Sequence, residues 1–138
     1  MVIYITMRLF IYPSGEVPIY RQIMRQITEA IAVGKLGPGD KLLSHRELAE
    51  QLAISPLTVK RAYDELEALG FLETQRGRGT FVCTRLPRFD SADQREQMKA
   101  LARKLLTLAY LGGLHFDDAL KVLKEARREI AHGRRELQ

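Results

Sequence analysis

Two short stretches of the 138-residue chain carry side chains suited to a polyanion. The first runs from Ser55 to Arg61 and holds Thr58, Lys60 and Arg61 with no carboxylate; Asp64 and Glu65 follow only after it. The second is Arg76-Gly77-Arg78-Gly79, in which guanidinium groups alternate with residues that have no Cβ. Hydroxyl and cationic groups at a helix start suit base edges in a major groove. Arginines flanked by glycine fork onto phosphate or enter the electronegative minor groove, because glycine lets the backbone approach closely. Taken singly, the first stretch is equally a solvated helix face, and the second equally a tight turn. Their succession at this distance makes them informative.

Catalytic and metal chemistry find no such support. His45, His115 and His132 are scattered, and each reads better as a surface or cap residue than as a ligand. Cys83 is the only cysteine, so neither a disulfide within the chain nor a cysteine zinc site is expected, and a redox switch has no resolving partner. Asp117 and Asp118 stand where a helix start favours negative charge. With no serine–histidine–aspartate set or phosphate loop, no enzyme, cofactor or bound metal is expected. The length excludes a barrel enzyme of about 250 residues. No run of about 18 apolar residues occurs. The apolar start, Met1 to Tyr12, is broken by Arg8 and lacks a basic leader and cleavage site, so a cytoplasmic location is expected, with Met1 or Met7 as the natural start.

The elements that must position the two stretches follow from spacing. Met1–Tyr12 reads as extended and ends at Pro13-Ser14-Gly15. Pro18 opens a helix with an apolar stripe at Ile19, Ile23, Ile27 and Ala30/Ile31, and Gly34 closes it. Gly37-Pro38-Gly39-Asp40 is a turn, followed by Lys41-Leu42-Leu43, too short to assign. Ser44 and Glu47 have capping-box spacing and start a second helix with Leu48, Ala49 and Leu52 inward. After a break at Ala53-Ile54-Ser55, Ser55 caps a third helix with Pro56 in its first turn. Val59, Ala62, Leu66 and Leu69 are its expected buried side. Leu57, Thr58, Lys60, Arg61 and Asp64 then face outward. Gly70 stops it, and Phe71–Gln75 with Thr80–Val82 forms a hairpin around the Arg-Gly turn. Two helices with a three-residue break, then a hairpin, make a winged helix-turn-helix.

Beyond a linker at Leu86-Pro87-Arg88-Phe89, Ser91 and Gln94 make a second capping pair. A helix of about 20 residues carries Met98, Leu101, Leu105 and Leu108 on one side. Gly112-Gly113 breaks it, His115 stands at the next cap, and a last helix from about Phe116 to Ala131 carries Leu120, Leu123, Ala126 and Ile130. Two such helices cannot close a core alone, so the stripe at Met98, Leu101, Leu105, Leu108, Leu120 and Leu123 is the expected dimerisation surface. The net charge of +5 lies mostly here: twelve Lys/Arg against eight Asp/Glu from Cys83 onward, against nine and eight from Pro18 to Val82. Net charge therefore does not locate a nucleic-acid site; the local pattern does.

Residues 18–82 resemble the winged-helix domain of the GntR family of bacterial transcription regulators. The resemblance runs through Gly37-Pro38-Gly39-Asp40-Lys41-Leu42, Ser44-His45-Arg46-Glu47-Leu48-Ala49 and Ser55-Pro56-Leu57-Thr58-Val59-Lys60-Arg61-Ala62-Tyr63. It closes with Glu65-Leu66-Glu67, Gly70 and Arg76-Gly77-Arg78-Gly79-Thr80-Phe81-Val82. Pro18-Ile19-Tyr20 with Gln22-Ile23, and the short two-helix tail, look like the YtrA subfamily. The resemblance implies a mainly α fold with a small β wing: an extended segment over 1–17, a winged domain over 18–86 and a two-helix dimerisation tail over 91–132.

It also implies a repressor that binds a palindromic DNA operator as a homodimer. DNA contacts are implied at Ser44, Arg46, Ser55, Thr58, Lys60, Arg76 and Gly77; Arg61 and Arg78 join them from the residue pattern itself. Leu43 stands in place of the usual proline, and Leu57 where a polar residue is common, an apolar group that either meets a thymine methyl or simply weakens one contact. Relatives that bind metal do so in a large domain for which this tail has too few histidines. A small-molecule effector would have to bind between the tail helices or at the dimer interface. The rival expectation is a winged helix used for protein or RNA contacts.

Overall fold

The computed structural model describes residues 8–87 and 91–135. Within them the chain forms α1 (Ile19–Ala32), α2 (His45–Leu52), α3 (Pro56–Ala68), β1 (Leu72–Gln75), β2 (Gly79–Val82), α4 (Ser91–Leu111) and α5 (Phe116–Arg135). It divides into two units, Met1–Pro87 and Arg88–Gln138. Met1–Met7, Arg88 and Phe89, and the side chains of Ile130 and His132, lie outside the described residues.

In the first unit α3 is central: both α1 and α2 pack on it, and so does β1. Ile23, Ile27, Leu36, Val59, Leu66, Leu72 and Val82 are its largest fully buried side chains. The caps expected at Ser44 and Ser55 form, while the side chain of Ser91, expected to cap α4, lies outside the described residues. Ser44 Oγ accepts from the Glu47 N–H at 3.1 Å, and Ser55 Oγ from the Leu57 N–H at 3.3 Å. Ala53 supplies the sharp break between α2 and α3 by taking a left-handed φ of 54°.

One buried position is corrected. Leu69, expected inside, is 56% exposed, and Tyr63 is buried instead. Tyr63 lies between Val59 and Leu66 in helical spacing and shares their face. Leu69 caps a helix that ends in a Schellman turn: the N–H groups of Gly70 and Phe71 donate to the carbonyls of Glu67 and Leu66 at 3.0 and 2.9 Å. That turn brings Phe71, rather than Leu69, into the core.

The hairpin pairs Leu72 with Val82 through Gln75 with Gly79, antiparallel. Residues 39–42, the end of the expected turn and the start of the unassigned stretch, run beside β2. Gly39 N–H donates to Val82 O, Val82 N–H to Asp40 O and Leu42 N–H to Thr80 O, each at 2.9 Å, with Lys41 bridging Phe81. The wing is thereby tied to the chain that leads into α2.

Residues 8–12 form no strand. Their backbone is bonded to two side chains of α1, one turn apart. Gln26 accepts from the Phe10 N–H at 2.9 Å and donates to the Phe10 carbonyl at 2.7 Å; Gln22 does the same for Tyr12, at 2.9 and 3.0 Å. Alternate residues of an extended chain and helix residues four apart advance by similar distances, so two amides serve as a β-ladder partner. Leu9 and Ile11 pack on the core.

In the second unit α4 and α5 touch each other and are joined at Gly112-Gly113, where Leu114 N–H donates to Ala109 O at 2.8 Å. Asp118 Oδ2 accepts from the His115 N–H at 2.8 Å and caps α5. The buried apolar residues described in this unit are Ala109 and Ala119. Met98, Leu101, Leu108 and Leu123 are each more than half exposed, Leu120 is exposed, and Leu105 is half-buried.

Candidate nucleic-acid interface

Three side-chain ties fix α3 in place, each to a different element. Tyr63 Oη donates to Leu43 O at 2.8 Å, just before α2. Glu67 accepts from the Thr74 N–H at 3.2 Å and the Thr74 hydroxyl at 3.1 Å, on the first wing strand. Arg61 lies over the Tyr20 ring of α1, 3.9 Å from its centre. Burial, aided by the Glu47 carboxylate, pushes the Tyr63 phenol above its ordinary range, so it stays a donor.

The outward residues fall into two electrostatic classes. Lys60 is paired with Asp64 at 2.7 Å and Arg61 with Glu65 at 3.3 Å, each one turn along the helix. Among the described residues no carboxylate pairs with Arg46, Arg76 or Arg78, and all three are exposed. Exposed pairs four residues apart contribute only about 0.3–0.5 kcal/mol, so a phosphate can displace either carboxylate. The first turn of α3 contains no acid, unlike those of α2, α4 and α5, which leaves its positive end open to an anion.

The wing tip is built for close approach. Gly77 has φ 74° in the turn closed by Arg78 N–H donating to Gln75 O at 2.9 Å. At Gly79, φ 124°, a Cβ would stand 2.8 Å from the Lys41 side chain. Glycine at both positions leaves Arg76 and Arg78 as exposed groups on a turn of fixed shape.

The structure thus places Ser55, Thr58, Lys60 and Arg61 on one held helix, Ser44 and Arg46 at the start of the helix packed against it, and Arg76, Gly77 and Arg78 on the hairpin tied to it. Sequence reading missed the ties themselves: Tyr20, Tyr63 and Glu67. Tyr63 was detectable from its spacing to Val59 and Leu66; Tyr20 and Glu67 act across elements and leave no local pattern. Among the described residues no group of three His, Cys, Asp or Glu is placed to hold a metal ion, and no helix is long and apolar enough to cross a membrane.

A winged helix-turn-helix whose recognition helix is tied on three sides and carries its cations ahead of its acids is a DNA-binding architecture. Residues 19–82 match the family described as bacterial regulatory proteins, gntR family. The chain is 34% identical over 123 residues to the HTH-type transcriptional repressor YtrA of Bacillus subtilis (strain 168), covering 89% of this chain and 95% of that protein. It is 37% identical over 110 residues to the uncharacterized HTH-type transcriptional regulator YhcF of the same organism, covering 78% and 88%. Among solved structures, YtrA from Sulfolobus acidocaldarius, a GntR-family transcription factor, matches with a TM-score of 0.56 at 37% identity, over 72% of this chain and 97% of that one. A transcriptional antiterminator from Listeria monocytogenes EGD-e matches with a TM-score of 0.73 at 32% identity, over 90% and 92%.

The chain belongs to the GntR family. It is a YtrA-like, DNA-binding transcriptional regulator, and its relatives are named as regulators rather than enzymes.

Proposed function

We propose that this chain is a cytoplasmic repressor that binds a palindromic DNA operator as a homodimer. The observation that carries the reading is α3: its first turn is free of acid, and it is tied on three sides beside a wing with two arginines that pair with no carboxylate among the described residues. In this reading Ser55, Thr58, Lys60 and Arg61 enter the major groove with the N-terminal end of α3 leading. Ser44 and Arg46 contact the edge of the groove, and Arg76, Gly77 and Arg78 reach the adjacent minor groove or its phosphates. Two copies related by a two-fold axis require an inverted-repeat site with half-sites one or more helical turns apart. The exposed apolar side chains of α4 and α5 support pairing through the tail. A small-molecule effector would bind between the tail helices or at that interface.

Selection of duplexes from a random pool by the purified protein tests this reading. The expected product is an inverted repeat. Arg46→Ala and Lys60→Ala each weaken binding to it at fixed salt by about 1–3 kcal/mol with unchanged circular dichroism, because both side chains are exposed. A selected pool with no repeat, or two variants of undiminished affinity, overturns it.

The name of the Listeria neighbour favours a second reading, a winged module acting on RNA or on another protein. Tighter, salt-dependent binding to single-stranded RNA than to duplex DNA would establish that reading instead.

A further inference from the structure

Leu57 stands apart from every other apolar side chain of the first unit. At 76% it is the most exposed large hydrophobic residue described there. It is not loosely held: Pro56 precedes it in the first turn of α3, and its own N–H donates to Ser55 Oγ at 3.3 Å. Val59, on the buried face, is two residues on, so Leu57 lies about 200° around the helix from it. Its neighbours one turn along are Lys60 and Arg61, both turned to acids further down the helix. The fold therefore presents an isobutyl group to water from a fixed backbone position, at the leading end of the helix and among polar and cationic side chains.

We infer that Leu57 is a specificity residue that reads a thymine, packing its isobutyl group on the C5-methyl in the major groove. The inference rests on the proposed DNA-binding function. In the major groove the thymine methyl is the one apolar group among the base edges; the other edges present hydrogen-bond donors and acceptors. Leucine offers neither donor nor acceptor. Against adenine, guanine or cytosine it would strip water from polar atoms without replacing the hydrogen bonds. Against thymine it removes two apolar surfaces from water together, with discrimination set by a single methyl group, about threefold to fivefold in affinity.

Deoxyuridine differs from thymidine only by that methyl, which makes the test specific to one atom. Duplexes selected by the wild-type protein are remade with each thymine replaced singly by uracil. Affinities are then measured for wild type, Leu57→Ala and Leu57→Gln. The expected result is one thymine per half-site at which uracil weakens the wild type about threefold to fivefold. Leu57→Ala should be insensitive there, and Leu57→Gln should select a different base there on reselection. Leu57 is exposed and outside the core, so both variants should match wild type in circular dichroism and melting. A selected site indifferent to uracil at every thymine overturns the inference alone, as does the same uracil sensitivity in Leu57→Ala. Failure of the wild type to select any duplex overturns the DNA-binding reading and this inference with it.

Discussion

The Arg61 guanidinium lies 3.9 Å from the centre of the Tyr20 ring while its Nε is 3.3 Å from Glu65 Oε1. One side chain thus joins the second turn of α3 to the first turn of α1. Its cation is held over an aromatic face and beside a carboxylate, so any approach to DNA starts from a fixed orientation. Tyr20 also accepts from Arg21 Nε through its hydroxyl at 3.2 Å. An exposed cation over a ring contributes about 0.5–1 kcal/mol. Tyr20→Leu is expected to lower stability by about that amount in urea unfolding, while Tyr20→Phe, which keeps the ring, loses less. Equal losses from both variants would assign the contribution to the hydroxyl.

What the sequence disclosed divides along physical lines. Caps, glycine stops and apolar spacing are local, and Ser44, Ser55, Gly70 and the Gly112-Gly113 break all mark element ends as spacing predicts. Leu69 misled because it keeps helical spacing from Leu66 at the C-cap, where the turn at Gly70 lets Phe71 fill the core instead. The strand-like pairing of residues 39–42 with β2 was invisible because Gly39 and Asp40 read as a turn and the three residues after them have no readable period. Nothing in spacing assigns a partner to the amides of Gln22 and Gln26. Their partners are backbone groups 10 and 16 residues away, and backbone bonding leaves no signature in side-chain type.

Tyr63 gives the protein an alkaline limit. Its phenol is pushed above its ordinary value of about 10, first by burial and second by the Glu47 carboxylate. An acid with a raised folded pKa keeps its proton where the unfolded chain has lost it. Its contribution is therefore constant below the unfolded value and is lost as pH rises above it. The bond to Leu43 O adds about 0.5–1.5 kcal/mol at neutral pH. Tyr63→Phe should be less stable than wild type by that amount at pH 7, with the gap narrowing above about pH 10. Chemical denaturation across that range is the measurement. A gap independent of pH would mean the phenol is not held neutral by its site.

The wing makes a quantitative claim about salt. Arg76 and Arg78 are exposed, and no carboxylate among the described residues pairs with either. If each meets one phosphate, Arg76→Ala and Arg78→Ala each reduce the slope of log affinity against log salt by about 1. Affinity should fall by a similar factor for all sequences, because phosphate contacts carry no base information. Binding isotherms at four salt concentrations decide it. A wild-type slope in both variants would place the wing away from the backbone.

The tail claims that assembly and DNA binding are one property. Met98, Leu101 and Leu108 are 63%, 65% and 72% exposed in the single chain, and the buried apolar residues described between α4 and α5 are only two alanines, Ala109 and Ala119. Two buried alanines cover little area. The larger side chains of the stripe are left in water, each forgoing about 1.5–3 kcal/mol of burial. A second copy of the same two helices would present a matching face, and an isologous contact would bury both at once. Such pairing would also set a distance between two recognition helices, which a palindromic site requires. Leu101→Asp with Leu105→Asp would put carboxylates into that contact with no partner for either, a cost of several kcal/mol at each site. The expected outcome is a monomer at micromolar concentration that has lost most of its operator affinity, while the first unit, with its own core, melts as in wild type. Sedimentation velocity reads the assembly and titration of the inverted repeat reads the affinity. A double variant that sediments as the wild type does would put the dimer contact on another surface. A monomer that binds the full repeat as tightly as wild type would break the link between assembly and recognition.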